Sequence, residues 1–151
     1  MAVNPNTDFV AGAILTASQQ NRFPRGVMGY VERTAGSTGP VTTEVDVTGV
    51  TVTFTGQTGR LYRVSTGVTG LRSTNAGYIF ANIKDASNAL LNQVIGSGSA
   101  GDYMDLSTNF VMTANGSTTI RMTAGADGNG GTILGVSTTR CTMIVEDLGP
   151  Y

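Results

Sequence analysis

Val41-Thr-Thr-Glu-Val-Asp-Val-Thr-Gly-Val-Thr-Val-Thr-Phe-Thr-Gly56 is the stretch on which the fold turns. Val41, Thr43, Val45 and Val47 alternate with Thr42, Glu44, Asp46 and Thr48; Gly49 interrupts, and Val50, Val52 and Phe54 resume the alternation. A period of two sends successive side chains to opposite faces of a pleated strand, one apolar and one polar. Val and Thr fit that pleated, half-buried surface better than a helix, and the glycines at 49 and 56 punctuate it.

Working outward, Tyr62, Val64, Thr66 and Val68 repeat the pattern, as do Ile79, Ala81 and Ile83. Further candidate strands cover 89–95, 103–113, 117–123, 132–136 and 139–146. Turn signals separate them at Gln57-Thr58-Gly59, Asn75-Ala76-Gly77, Ala114-Asn115-Gly116 and the glycine-rich run 126–131. About eight to ten short strands at this spacing predict an all-β chain, an antiparallel β-sandwich of jelly-roll-like type.

Composition agrees and narrows the function. Ser and Thr make up roughly a fifth of the chain and Gly contributes 21 residues, a mixture suited to short strands and tight turns. The length of 151 residues allows one ordinary core that needs neither disulfide nor metal to fold. Charged residues are 13%, with 9 basic against 10 acidic, which gives no footprint for nucleic acid or an anionic membrane. Histidine is absent and Cys141 is the single cysteine, so Ser-His triads, His-ligated zinc and intrachain disulfides are excluded. No run approaches the roughly 20 apolar residues of a membrane span, and the N-terminus lacks the basic-then-apolar order of an export signal. The expectation is folding in a reducing cytosol.

Residues 1–26 read as a separate arm ahead of a β-domain over 27–151. Thr16-Ala-Ser-Gln19 fits a capping box, and Pro24 disfavours helical geometry at Phe23, so the arm holds at most one short helix. Phe9, Val10, Ile14, Leu15 and Phe23 are its apolar residues, with two places to dock: the chain's own β-domain or a neighbouring subunit. Tyr78 and Phe80 point away from Ile79, Ala81 and Ile83, and Leu91 and Ile95 oppose Leu90 and Val94. A two-layer sandwich covers one face of each sheet, so this second apolar face needs either the N-terminal arm or another subunit; oligomerisation is the economical explanation, and Tyr78, Phe80, Leu91 and Ile95 become candidates for an assembly interface.

The motifs that resemble chemistry fail on physical grounds. Gly96-Ser-Gly98-Ser-Ala-Gly101 has the letters of a dinucleotide fingerprint, but no helical periodicity follows to meet pyrophosphate, so it reads as a strand-connecting loop. Asp127-Gly-Asn129-Gly begins like a calcium loop and then offers Thr132 and Thr138 where the required Gly and Glu belong. Glu44 and Asp46 sit two apart, about 7 Å along a strand, within the separation of an inverting glycosidase pair, yet the alternation assigns that face to solvent. Asp102 with Asp105 and Glu146 with Asp147 fall on opposite strand faces. Cys141 reads as a small core hydrophobe, and Arg60, Arg63 and Arg72 as solvated strand edges or intersubunit pairs. No catalytic, metal or cofactor residue is expected.

Three stretches carry a resemblance. Ala11-Gly-Ala-Ile-Leu-Thr-Ala17 through Asn21-Arg-Phe-Pro-Arg-Gly-Val27 resembles the opening of structural proteins of tailed bacteriophages, especially those of actinobacterial hosts. Gly59-Arg-Leu-Tyr-Arg-Val64 and Met143-Ile-Val-Glu-Asp-Leu-Gly-Pro150 resemble two further strands of the same group. The resemblance implies a subunit on the virion exterior, commonly a homotrimer, of minor tail, fibre-tip or capsid-decoration type, made in the bacterial host cytoplasm. Its implied partners are copies of itself and major capsid or tail subunits, with a host surface glycan as the alternative if the chain is a receptor-binding knob. Lacking heptads, triplets or repeats, the chain has no shaft to hold a tip away from a particle, which favours a compact trimer bracing the capsid.

Overall fold

The computed structural model describes residues 12, 14, 16–21, 23–72, 75–127, 130–134 and 140–151. One short helix, α1 (Ala17–Gln20), precedes ten strands among these residues: β1 (Gly26–Arg33), β2 (Thr38–Val41), β3 (Val45–Gly56), β4 (Arg60–Arg72), β5 (Gly77–Asp85), β6 (Leu90–Gly98), β7 (Tyr103–Thr113), β8 (Gly116–Ala126), β9 (Gly131–Leu134) and β10 (Cys141–Pro150). The capping box is formed as the sequence predicts. The Thr16 hydroxyl accepts from the Gln19 amide at 3.2 Å, and the Gln19 side chain accepts from the Thr16 amide at 2.9 Å.

All pairings are antiparallel. One sheet runs β1-β10-β4-β9-β2, with β7 on the other side of β4; the second runs β3-β8-β5-β6. The core lies between them: Val47, Val50, Val52 and Phe54 of β3, Ile79 and Ile83 of β5, and Ile120 and Met122 of β8 face Tyr62 and Val64 of β4, Leu106 of β7 and Met143 and Val145 of β10. Each fully buried aliphatic side chain contributes about 1.5–3 kcal/mol. Phe54 and Tyr62 meet across the layers with ring centroids 5.1 Å apart, and the Tyr62 hydroxyl accepts from the Gln57 amide at 2.8 Å, so its polar end is satisfied.

The decisive stretch departs from one continuous alternation in two places. Val41 pairs into the larger sheet through β2, whereas Val45 begins β3 in the smaller one, so the chain changes layers between them. Val41 is buried and Val45 is 39% exposed. Gly49, at φ +80°, forms a bulge that shifts the β3 register between Asp46 and Thr51, and the inward residues become Val47 and Val50, three apart rather than two.

Two arginines expected at solvated edges are buried, which corrects that reading. Arg60 donates from Nε and Nη2 to the Asp147 carboxylate at 2.7 and 2.9 Å, and its remaining donors reach the carbonyls of Asn21 at 2.5 Å and Phe23 at 2.6 Å. Arg72 is fully buried, donating to the carbonyls of Asn75 and Gly130 and paired with Asp127 at 2.8 Å. Arg60 opens β4 and Arg72 closes it, and each holds the backbone that adjoins that end of the strand. Arg63 is exposed as expected and pairs with Glu146 at 2.7 Å.

Candidate functional site

The register of β6-β5-β8 places four rows of side chains on the outer face of the smaller sheet. Tyr78 lies opposite Ser97; Phe80 opposite Ile95 and Gly125; Asn82 opposite Gln93 and Thr123; Lys84 opposite Leu90 and Arg121. The face is therefore apolar at one end and polar at the other. At the apolar end, the Phe80 ring occupies the space above Gly125, where a Cβ would come within 2.4 Å of its Cζ. That glycine lets Phe80 lie half-buried on its own sheet, while Tyr78 stays 45% and Ile95 57% exposed.

The polar end is a network. Glu44, just ahead of β3, brings Oε1 within 2.6 Å of Lys84 Nζ and accepts from Asn82 Nδ2 at 3.0 Å and from the Thr123 hydroxyl. Asn82 in turn accepts from Gln93 Nε2 at 2.7 Å. Arg121 donates to Asp46 and, at 2.8 Å, to Asn88. Together Glu44, Asp46, Lys84, Asn88, Arg121 and Thr123 line a depression of about 220 Å³. Partial burial pushes the Glu44 carboxyl upward, but the bonds from Lys84, Thr123 and Asn82 outweigh it and hold it down at about 2.

Because the folded value lies below the unfolded one, the stabilisation from Glu44 is present above its ordinary pKa of 4.5 and is lost as the pH falls toward about 2. The group is open to solvent, so its net worth at neutral pH is about 1 kcal/mol or less. Glu44→Gln is expected to flatten the decline of the urea midpoint across that acid window and to leave the midpoint at higher pH little changed. A decline as steep as in the parent would show that Glu44 is not the group that titrates.

Of the residues singled out in the sequence, Tyr78, Phe80 and Ile95 come together. Leu91 does not join them: the β5–β6 register shifts between Ile83 and Lys84, and this bulge leaves Leu91 packed against the chain's own core. Phe23 is 38% exposed beside its Arg60-bound carbonyl, and Ile14 is 92% exposed. Phe9, Val10 and Leu15 lie outside the described residues. Glu44 and Asp46 share the depression, and each is ion-paired, Glu44 to Lys84 and Asp46 to Arg121. Gly96 and Gly98 belong to β6, and in the turn after them the Asp102 carboxylate accepts from the Ser99 amide at 2.6 Å where a phosphate would need that donor. Asp127 accepts from the Tyr78 amide and pairs with Arg72. Cys141 is buried in β10, and burial pushes its thiol up against a smaller opposing pull from Arg33. Among the described residues no group of three or more Cys, Asp and Glu is arranged to hold a metal.

Sequence reasoning missed the network around Glu44. Its signal was available: Lys84, the single lysine, and Asn82 occupy the outward phase of β5, opposite the alternating Ile79, Ala81 and Ile83.

The same two-sheet arrangement is found in solved structures. Murine APRIL at pH 5.0 superposes with a TM-score of 0.52 at 13% identity, and at pH 8.0 with 0.51 at 11%, each over 80% of this chain and 98% of that one. The chain folds as a jelly-roll sandwich. Eiger TNF from S. frugiperda, at 9% identity over 80% of this chain and 92% of that one, reaches a TM-score of 0.48 and adds nothing further. No protein-family model and no curated protein matches the chain. At these identities the likeness speaks for the fold alone.

Proposed function

We propose that this chain is a non-enzymatic structural subunit on the exterior of a tailed-phage virion, one copy of a compact homotrimer that decorates and stabilises the capsid lattice. The observation that carries this reading is the uncovered apolar cluster of Tyr78, Phe80 and Ile95 on the outer face of the smaller sheet. The described residues leave Tyr78 45% and Ile95 57% exposed, and symmetric self-association covers such a face with many weak contacts. Ile14 stands 92% exposed ahead of an arm pinned at Asn21 and Phe23, in position to engage a neighbouring copy or a major capsid or tail subunit. The resemblance of residues 11–27, 59–64 and 143–150 to tailed-phage structural proteins supports the setting, and the ion-paired carboxylates support a non-enzymatic role. Synthesis in the host cytoplasm, without cofactor, membrane or nucleic-acid partner, completes it.

Removing residues 1–16 leaves Asn21 and Phe23 in place for Arg60. The shortened protein is expected to keep its β-sheet spectrum and melting temperature, while its incorporation into particles, read by immunoblot, falls at least about tenfold as the anchoring contacts are lost. Incorporation at the full-length level would overturn the anchoring role. The second reading, a minor tail protein or receptor-binding knob for a host glycan, is favoured by one observation: the polar depression beside Glu44.

A further inference from the structure

We infer that the depression lined by Glu44, Asp46, Lys84, Asn88, Arg121 and Thr123 is a binding site for a neutral, polyhydroxylated ligand of monosaccharide size, a single sugar residue. The inference does not rest on the lattice role, since the site lies on the polar rows of the sheet face and needs only one copy.

Four features carry it. The first is rigidity. Glu44 Oε1 is held by donors from β5 and β8, and the wall opposite is a turn locked by the Asp85 carboxylate, which accepts from Ser87 N at 2.9 Å, Ser87 Oγ at 2.7 Å and Ala89 N at 2.8 Å. Asn88 is fixed in that turn at φ +72°, its amide oxygen held by Arg121. Polar groups oriented before a ligand arrives lose little freedom on binding.

The second feature is unused capacity. Glu44 Oε2, Asp46 Oδ2 and Asn88 Nδ2 make no hydrogen bond to another described residue. Two carboxylate acceptors and one amide donor around one depression match vicinal hydroxyls, which both donate and accept.

The third is charge. Glu44 and Asp46 are balanced by Lys84 and Arg121, so a phosphate meets two carboxylates and a metal cation meets two cationic side chains. A neutral ligand meets neither penalty. The fourth is size: about 220 Å³ falls below the roughly 300–1,000 Å³ of pockets for drug-sized ligands and suits one pyranose ring.

The test is a titration of the isotope-labelled full chain, following the Asn88 side-chain amide and the backbone amides of Ser87–Ala89 by NMR. The probes are methyl glycosides of glucose, galactose, mannose, arabinose and N-acetylglucosamine, with sodium phosphate and calcium chloride as contrasts. At least one glycoside is expected to shift these resonances saturably with a Kd on the order of 1 mM. Asn88→Gly, which keeps the left-handed backbone, and Glu44→Gln are each expected to weaken that binding at least about tenfold with the rest of the spectrum unchanged. The inference is overturned if no glycoside saturates the site, if binding survives both substitutions, or if phosphate or calcium saturates it more tightly than every sugar. Sedimentation of the same sample separates this from the lattice reading, because a monomer that binds the sugar upholds the site and a trimer that does not refutes it.

Discussion

Arg72→Met is expected to lower the unfolding free energy by about 3–5 kcal/mol, the cost of removing one member of a buried charged network. The guanidinium is fully buried, and it holds the carbonyls of Asn75, Tyr78 and Gly130 together with the Asp127 carboxylate. Methionine fills similar volume but donates nothing, so the carbonyls lose their partner and Asp127 is left charged beside an apolar side chain. The site is packed tightly: a Cβ on Gly77 would sit 1.7 Å from Asp127 Oδ2, so Gly77→Ala is expected to disturb the same network. Arg63→Met provides the contrast, because its pair with Glu146 is exposed and worth about 1 kcal/mol or less. Urea unfolding at one fixed protein concentration measures all three, the concentration being held because any self-association adds to apparent stability. Equal losses for Arg72→Met and Arg63→Met would show that the buried network does not hold the loops.

Arg60→Met is expected to cost a similar amount, about 3–5 kcal/mol, and to have a second consequence that Arg72→Met lacks. Its carboxylate partner, Asp147, is buried and also accepts from the Gly149 amide at 2.7 Å, where Gly149 at φ +103° closes a bulge in β10. The other donors of Arg60 hold the arm by the carbonyls of Asn21 and Phe23. Trypsin cleavage after the exposed Arg25 is therefore expected to accelerate in Arg60→Met and to be unchanged in Arg63→Met. Adding Asp147→Leu to Arg60→Met removes the stranded charge and is expected to recover part of the lost stability without slowing that cleavage. A cleavage rate unaffected by Arg60→Met would mean that the arm is held by something else.

These two pins mark the boundary of what periodicity conveys. Alternation told apart the faces of β4, β5 and β7, because one buried face imposes a period of two on each strand. The arm's capping box was legible because Thr16 and Gln19 are local to each other. Arg60 and Asp147, 87 positions apart, were illegible because alternation does not say which strands are neighbours. The phase of β4 does place Arg60 and Arg72 with Tyr62, Val64 and Val68, all even-numbered and inward, and an arginine in that phase signals a buried pair. At the candidate site, Tyr78, Phe80 and Ile95 were grouped by phase alone, whereas the bulge that turns Leu91 inward is a register event with no local signature. Val45 was misplaced for a related reason, since a chain crossing between layers after Val41 keeps its alternation in sequence while changing its sheet.

The most direct measurement is the mass of the full chain in dilute solution, by sedimentation equilibrium across a range of micromolar concentrations. A species three times the 15.6 kDa chain mass, persisting on dilution and lost in Tyr78→Asp/Ile95→Asp, is the expected result. A stable 15.6 kDa monomer at every concentration, with Tyr78 and Ile95 exposed and the protein still soluble, would contradict the claim that a second copy covers the apolar end of this sheet face.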